Sequence, residues 1–356
     1  MNELINQKIS VRRISVSKSI LEALKQMDQV GCKLLMCFAQ EKFIGLVSIG
    51  DIQRAIIKNE SLNTPVKNVI RKNNLVAKKG DSIEIVKELM LQYRMEFLPV
   101  IDQDNILDTV YFWEELFESK SPIPSKKFNL PVVIMAGGVG SRLKPLTNVL
   151  PKALLPVSEK SMLEEIFDRF FHYGCDRFYI SLNYKAELIK YYLENQHFPY
   201  HFHFFQEDKP LGTAGSLYLI RDQIKSTFFV TNCDILIDQD YAEMLDFHQE
   251  NKNDITIIAA LKHYPLPYGI IETGDNGILV DIKEKPELTL KINSGMYILE
   301  PGIINEIPVN EYFHITQLVE IIKNKGGKVG VFPVSEKSWK DFGILEDYLK
   351  FTKSIK

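Results

Sequence analysis

Long apolar runs are missing from this 356-residue sequence. No stretch of about 18 apolar residues occurs, so nothing in it reads as a membrane span. The start, MNELINQKISVRR, has no apolar h-region of the kind a secretory signal needs, and the expected compartment is the cytoplasm. Cysteine is scarce. Cys32, Cys37, Cys175 and Cys233 show no C-x-x-C spacing, which argues for reduced thiols rather than a disulfide frame or a zinc site. A large excess of either charge is also missing. The formal net charge is -3, so no basic field favours a nucleic-acid partner. What remains is ordinary globular material, 45% hydrophobic and 25% charged, long enough for two cores.

The chain divides at KSPIPSKK, residues 120–127, where two prolines and three lysines leave little to bury. The expected domains are residues 1–119, a linker over 120–128, and residues 129–356. The first part repeats itself, in copies of about 1–60 and 61–119. Each copy reads as a Ser-started amphipathic helix, a strand, a polar turn, a second strand and another helix. Ile20, Leu21, Leu24 and Met27 mark the apolar face of the first helix, and Gly31 ends it. Ile83, Ile85, Val86, Leu89 and Met90 do the same in the second copy. In this order, and in GLVSIGD at residues 45–51, the first part resembles a tandem of cystathionine-β-synthase-type (CBS) domains. The resemblance implies that Ser48 and Asp51 contact the phosphate and ribose of an adenine nucleotide, and that copies associate into a homo-oligomer. The alternative is that both residues only cap the helix beginning at DIQRAI. The second copy departs from the element: aligned by eye, it carries Tyr111 and Glu114 in those places.

From Leu130 on, strands and helices alternate. PVVIMAG is a buried strand and SMLEEIFDRFFHYG a helix with a capping box between Ser161 and Glu164. DRFYISLNY, KAELIKYYLEN, GTAGSLYLIRDQI and STFFVTNCD follow as strand, helix, helix and strand. The expected fold class is α/β: an open, mainly parallel, Rossmann-like sheet with helices on both faces, preceded by the α+β pair. Ligands of such sheets bind at the carboxyl ends of the strands. The glycine loop after the first strand matches neither G-x-G-x-x-G nor G-x-x-x-x-G-K-[ST]. Its glycines, Gly137, Gly138 and Gly140, can still turn amides toward an anion. Arg142 offers a planar fork for phosphate oxygens, and Lys152 a second cation next to Pro151. Together these point to a polyphosphate site.

Residues 135–157, MAGGVGSRLKPLTNVLPKALLPV, resemble the signature of sugar-1-phosphate nucleotidyltransferases almost position by position. Further segments follow in the family's order: LGTAGS, TNCDIL, PYGIIE, IKEKP, INSGMYILEP and WKDFGILEDY. The resemblance implies a nucleotide-diphospho-sugar transferase fold and Mg²⁺ as cofactor. It places nucleotide contacts at Ala136, Gly137, Gly138, Gly140, Ser141, Gly212, Thr213 and Ala214. It puts the sugar phosphate at Gly269, Glu284, Asn293 and Gly295, metal ligands at Asp234 and Asp341, and catalytic cations at Arg142, Lys152 and Lys285. Cys233 stands where the family commonly has glycine.

The implied reaction needs no general base, since a phosphate monoester is largely dianionic at neutral pH, its second pKa being about 6. That agrees with seven histidines that all lie outside these segments. The substrates implied are a nucleoside triphosphate, GTP first, and a sugar 1-phosphate. The resemblance favours a glucosamine-1-phosphate guanylyltransferase supplying sugars such as legionaminic acid. Mannose- or heptose-1-phosphate guanylyltransferase comes next. A nucleotide-sensing protein with a dead transferase domain would need damage at Arg142, Lys152, Asp234, Lys285 or Asp341, and none is damaged. A sugar-transferring enzyme would favour D-x-D, which NCDILID lacks.

Overall fold

The computed structural model describes residues 2–71, 75–93, 95–117 and 126–354. The chain forms two compact units, Met1–Ser125 and Lys126–Lys356. Residues 118–125, which hold most of the expected linker, lie outside the described residues.

The first unit runs α1 (Asn2–Ser10), β1 (Arg13–Ser15), α2 (Ile20–Val30), β2 (Leu34–Ala39), β3 (Lys42–Ser48) and α3 (Ile49–Ile57). It continues with β4 (Ala77–Lys78), α4 (Ile83–Tyr93), β5 (Phe97–Ile101), β6 (Leu107–Phe112) and α5 (Trp113–Leu116). The repeat read from the sequence is a repeat of structure. Each copy is a three-stranded sheet whose first pair is parallel and second antiparallel. Ser19 and Glu22 close a capping box on α2, and Gly31 ends it in the left-handed region at φ 70°. Small sheets need a partner to be stable. Here Met36, Phe38, Phe43 and Leu46 of one copy share a cluster with Val86, Met90, Phe97 and Trp113 of the other.

The structure corrects the alignment of the two copies by one residue. Ile49 N–H donates to Lys33 O, and Trp113 N–H donates to Glu96 O, both at 2.8 Å. These matching bonds set the start of each second helix, so Phe112 and Glu115 stand where Ser48 and Asp51 do, not Tyr111 and Glu114. Phe112 has no side-chain oxygen, and α5 is uncapped.

The second unit begins with β7 (Val132–Met135), α6 (Met162–His172), β8 (Arg177–Leu182), α7 (Ala186–Glu194), β9 (His201–Gln206), α8 (Gly212–Gly215) and β10 (Phe228–Asn232). It goes on through β11 (Ile235–Ile237), α9 (Tyr241–Glu250), β12 (Ile255–Pro265), β13 (Ile270–Thr273), β14 (Leu279–Lys283) and β15 (Glu287–Leu299). It closes with α10 (Ile315–Asn324), β16 (Val329–Val334), β17 (Trp339–Asp341) and α11 (Leu345–Ser354). Seven strands form one sheet in the order β16-β12-β15-β10-β7-β8-β9. It is mixed rather than wholly parallel: β15 runs antiparallel to both its neighbours, and every other pairing is parallel. On one face Leu217, Ile220, Val230, Tyr297, Leu299 and Leu318 pack into a core.

Two local departures from expectation bear on the site. The helix expected over GTAGSLYLIRDQI is only the four-residue α8 followed by a 3-10 turn, Ser216–Ile220. Ala214 and Gly215 send their N–H groups to Phe313 O, at 3.0 and 3.1 Å, and that tertiary contact replaces a regular helix start. The second departure is a two-stranded ribbon, β13–β14, paired to no third strand. Its cross-strand partners Ile271 and Ile282 are each 61% exposed.

Candidate active site

The carboxyl ends of β7 and β10 lie side by side, Met135 opposite Asn232. Beyond β7 the glycine loop turns out of the sheet. Ala136 is buried and its N–H is spent on Ser181 O at 3.0 Å, so it holds the strand rather than offering an anion contact. Among the described residues the N–H groups of Gly138, Val139 and Gly140 take no protein partner. Gly138 and Ser141 are exposed. Gly140 sits at φ 66°, and a Cβ there would come within 2.8 Å of Thr147 Cγ2 and 3.1 Å of Lys152 Cβ. Only glycine satisfies both conditions. Thr147, buried, returns a hydrogen bond from Oγ1 to Gly140 O at 2.9 Å and so closes the loop on itself.

A second pairing supplies the carboxylates. β11 and β17 run antiparallel with Ile235 opposite Asp341, which brings Asp234 and Asp341 to one edge. Phe342 N–H donates to Asp234 O at 3.0 Å, and Gly343 N–H to Asp341 Oδ1 at 2.7 Å. Gly343 marks where the groups meet. A Cβ on it would lie 2.7 Å from Asp234 Oδ2, 2.8 Å from Asp341 Oδ1 and 3.2 Å from an Arg142 Nη2 nitrogen. Lys152 forms an ion pair with the same Asp234 Oδ2, the two side chains being 12% and 8% exposed. Two cations of the glycine loop and the segment after it thus meet two carboxylates, one about 90 residues on at Asp234 and one near the end of the chain at Asp341. Burial raises the Asp341 carboxyl above its usual range, and the Asp234 charge adds to this, against the Gly343 N–H and the two cations. Burial pushes the Cys233 thiol up to about 12, so it is an inert filler at the turn and no nucleophile.

The residues assigned to the sugar lie in two places. Gly269 sits against Glu284, whose Oε2 would be 3.0 Å from a Cβ there. Asn293 accepts from Gly295 N–H at 3.1 Å and donates to Tyr297 OH at 2.7 Å, and Gly295 lies against the Asn232 amide. Lys285 is exposed, at φ 43° in the turn between β14 and β15. No hydrogen bond or ion pair among the described residues joins it to Arg142, Lys152, Asp234 or Asp341. Around LGTAGS, Gly212 packs on the Phe313 backbone and Thr213 Oγ1 accepts from Ile315 N–H at 3.0 Å. Ala214 is fully buried, and its amide is already bonded. This segment therefore braces α10, and Ala214 has no surface left to present to a nucleotide.

Ser48 and Asp51 form a reciprocal cap on α3. The Asp51 carboxylate accepts from Ser48 N–H and hydroxyl, from Arg71 and from Arg54. Burial drives this carboxyl upward, yet the bonds from Ser48 and Arg71 outweigh it and hold the group below its usual range. A carboxylate offers about four acceptor sites. All are used, and a ribose hydroxyl would first have to displace an arginine. Ser48→Ala is expected to cost about 1 kcal/mol of stability, read by thermal unfolding.

Two further residues at the site, Gly343 and Glu207, hold no role in the sequence reading. Gly343 was legible only as the glycine of W-x-D-x-G. Glu207 is 8% exposed and beside Gly137, taking bonds from Ser181 and from Leu211 N–H. Among the described residues no group of three or more His, Cys, Asp or Glu is placed to hold a metal ion. No helix among them is long and apolar enough to cross a membrane.

Comparison with known proteins places the second unit in a family. The family model described as nucleotidyl transferase matches residues 131–356. A mannose-1-phosphate guanylyltransferase catalytic subunit beta of Dictyostelium discoideum is 33% identical over 189 residues, 50% of this chain and 52% of that one. The corresponding protein of Danio rerio is 29% identical over 228 residues, covering 62% and 63%. The chain therefore spans between half and two thirds of the length of these relatives. A crystal structure of a putative glucose-1-phosphate thymidylyltransferase from Bacillus anthracis, in complex with a sucrose, superposes with a TM-score of 0.51. At 21% identity, covering 64% of this chain and 95% of that one, it shows the fold alone.

Proposed function

The chain belongs to the nucleotidyl transferase family, and from that premise we propose that it transfers a nucleotidyl group from a nucleoside triphosphate to a sugar 1-phosphate. One observation carries the reading: Arg142, Lys152, Asp234 and Asp341 converge at Gly343, beside a glycine loop with free amides. An oxygen of the sugar phosphate attacks the α-phosphorus, the bond to the bridging oxygen breaks, and pyrophosphate leaves. The nucleophile arrives charged, so the obstacle is like-charge repulsion and alignment. The chain answers it by positioning and electrostatics.

The free amides of residues 138–140 and the Arg142 guanidinium hold the β- and γ-phosphates as charge grows on the leaving group. Lys152 moves from Asp234 to the reacting phosphates. Lys285, on its ribbon, steers the incoming phosphate. Asp234 and Asp341 would hold Mg²⁺, which when bound supplies Lewis-acid charge to the triphosphate oxygens. Two carboxylates suffice for this ion, because it keeps waters and phosphate oxygens as its other ligands. A buried Asp234 and a half-buried Asp341, partly opposed by cations and beside the glycine loop, fit that requirement.

For the substrates, the names of the curated relatives support GTP and mannose 1-phosphate over the glucosamine 1-phosphate that the sequence resemblance put first. The test is pyrophosphate release from GTP, ATP, UTP and dTTP, each with mannose, glucosamine, glucose and heptose 1-phosphates. GTP with mannose 1-phosphate is expected to turn over fastest. Preference for glucosamine 1-phosphate would restore the first order, and no release from any pair would sink the activity.

For the first unit the duplicated sheet order and the segment 45–51 support a CBS-type pair, and the resemblance to that family implies that it joins copies of the chain. Because Asp51 is fully engaged, AMP, ADP and ATP are expected to leave the melting temperature of the full chain unchanged. A shift confined to the adenine nucleotides would make the unit a sensor instead.

A further inference from the structure

Lys185 breaks three local rules at once. It stands in the left-handed region at φ 54°, where a side chain is sterically disfavoured. It occupies the N-cap of α7 without capping it, a place that Ser, Thr, Asp or Asn fills better. It also puts a cation at the positive end of a helix. Such departures gather where a residue is held for something other than local stability.

The side chain shows what that is. Lys185 Nζ donates to the carbonyls of Thr147, Asn148 and Val149, at 3.2, 2.7 and 2.8 Å. An ammonium has three protons, and all three are used on one turn. That turn is a 3-10 segment, Leu146–Asn148, whose last carbonyls have no partner inside it. Neighbouring Tyr184 adds a bond from its OH to Thr147 O at 3.3 Å. The turn lies between Gly140 and Lys152, and Thr147 is the residue that closes on Gly140 O. Asn148 and Val149 are exposed, so no core packing holds them.

We propose that Lys185 is a positioning residue: its ammonium ties the 147–149 turn and so fixes the loop that carries Arg142 and Lys152 to the phosphates. This deepens the nucleotidyl-transfer reading and rests on it. Free of the tie, the turn can drift, and a misplacement of about 1 Å at a reacting centre can cost on the order of 10²-fold in rate. The role is one of geometry, since Lys185 already spends its three donors and has none for substrate.

Lys185→Asn separates this role from a structural one. Asparagine suits the left-handed conformation, so the backbone of α7 is kept and only the three bonds to the exposed turn are lost. The full-length variant is expected to keep its melting temperature, to raise KM for the triphosphate and lower kcat, together by on the order of 10²-fold. KM for the sugar 1-phosphate stays within about twofold, as that site lies on other elements. Lys185→Arg, which still offers several donors to carbonyls, is expected to recover part of the loss. A second readout needs no turnover: amide exchange of residues 146–152 in the free protein should speed up in the Asn variant. Wild-type kinetics and unchanged exchange in Lys185→Asn would overturn the proposal. Faster exchange in a protein whose wild type releases no pyrophosphate would instead leave the tie standing and remove the reaction.

Discussion

Arg142→Ala is expected to lower kcat/KM for the triphosphate by about 10²–10³, or roughly 3–4 kcal/mol of barrier, without moving the melting temperature. The two halves of that expectation have different causes. The guanidinium meets the Asp234–Asp341 edge at Gly343, where the proposed reaction would have the leaving phosphates neutralised. Its residue is exposed and belongs to no core cluster, so truncation leaves no cavity. Asp234→Asn should lose a similar factor in rate, but not cleanly. Asp234 and Lys152 are both nearly buried, and removing one charge of such a pair strands the other, at a cost of about 3–5 kcal/mol. For a unit of this size that is a fall in melting temperature of about 6–20 °C. Pyrophosphate release and thermal unfolding, measured on both variants, separate the two. Full turnover in Arg142→Ala would remove the glycine loop from the phosphate chemistry.

Gly343→Ala is expected to disable the enzyme through a single methyl group. The backbone there is ordinary, so the case rests on space and not on φ. The new carbon would sit 2.7 and 2.8 Å from two carboxylate oxygens and 3.2 Å from the guanidinium. Neither oxygen is free to yield, since Asp234 Oδ2 is paired to Lys152 and Asp341 Oδ1 accepts the Gly343 N–H. Relief must come from separating the carboxylates or expelling the arginine, and either spoils the arrangement that the chemistry needs. A loss in kcat/KM on the order of 10²-fold follows from displacement by about 1 Å. Overpacking of this kind costs about 1–3 kcal/mol of stability, so the fold survives. Near-normal turnover with near-normal stability would mean that the convergence at Gly343 is incidental.

How much of this was legible beforehand depended on the range of the interaction. Helix caps are local, and Ser19, Ser48 and Ser161 cap as their spacing to Glu22, Asp51 and Glu164 implies. The glycine loop assigned to the phosphates is nearly local too, Thr147 closing it on Gly140. What the chain order concealed is pairing between distant segments. β15 runs against its neighbours because β12 turns back through a ribbon, and alternation of strands and helices does not report direction. GTAGSLYLIRDQI reads as a helix until Phe313, about a hundred residues on, takes its amides. Lys185 carries no motif, yet a cation where a capping residue belongs is a visible oddity once the helix is placed.

The β13–β14 ribbon has a consequence for how this enzyme can change. Glu284 and Lys285 hang at its root, while Ile271 and Ile282 rest on nothing in the sheet. Local opening there costs little of the global stability. Of the residues assigned to the sugar, Gly269 and Glu284 lie on or beside this ribbon, whereas Asn293 and Gly295 belong to β15 of the main sheet. Substitutions on the exposed face of this ribbon are expected to leave the melting temperature of the domain within a few degrees, because they touch none of the core.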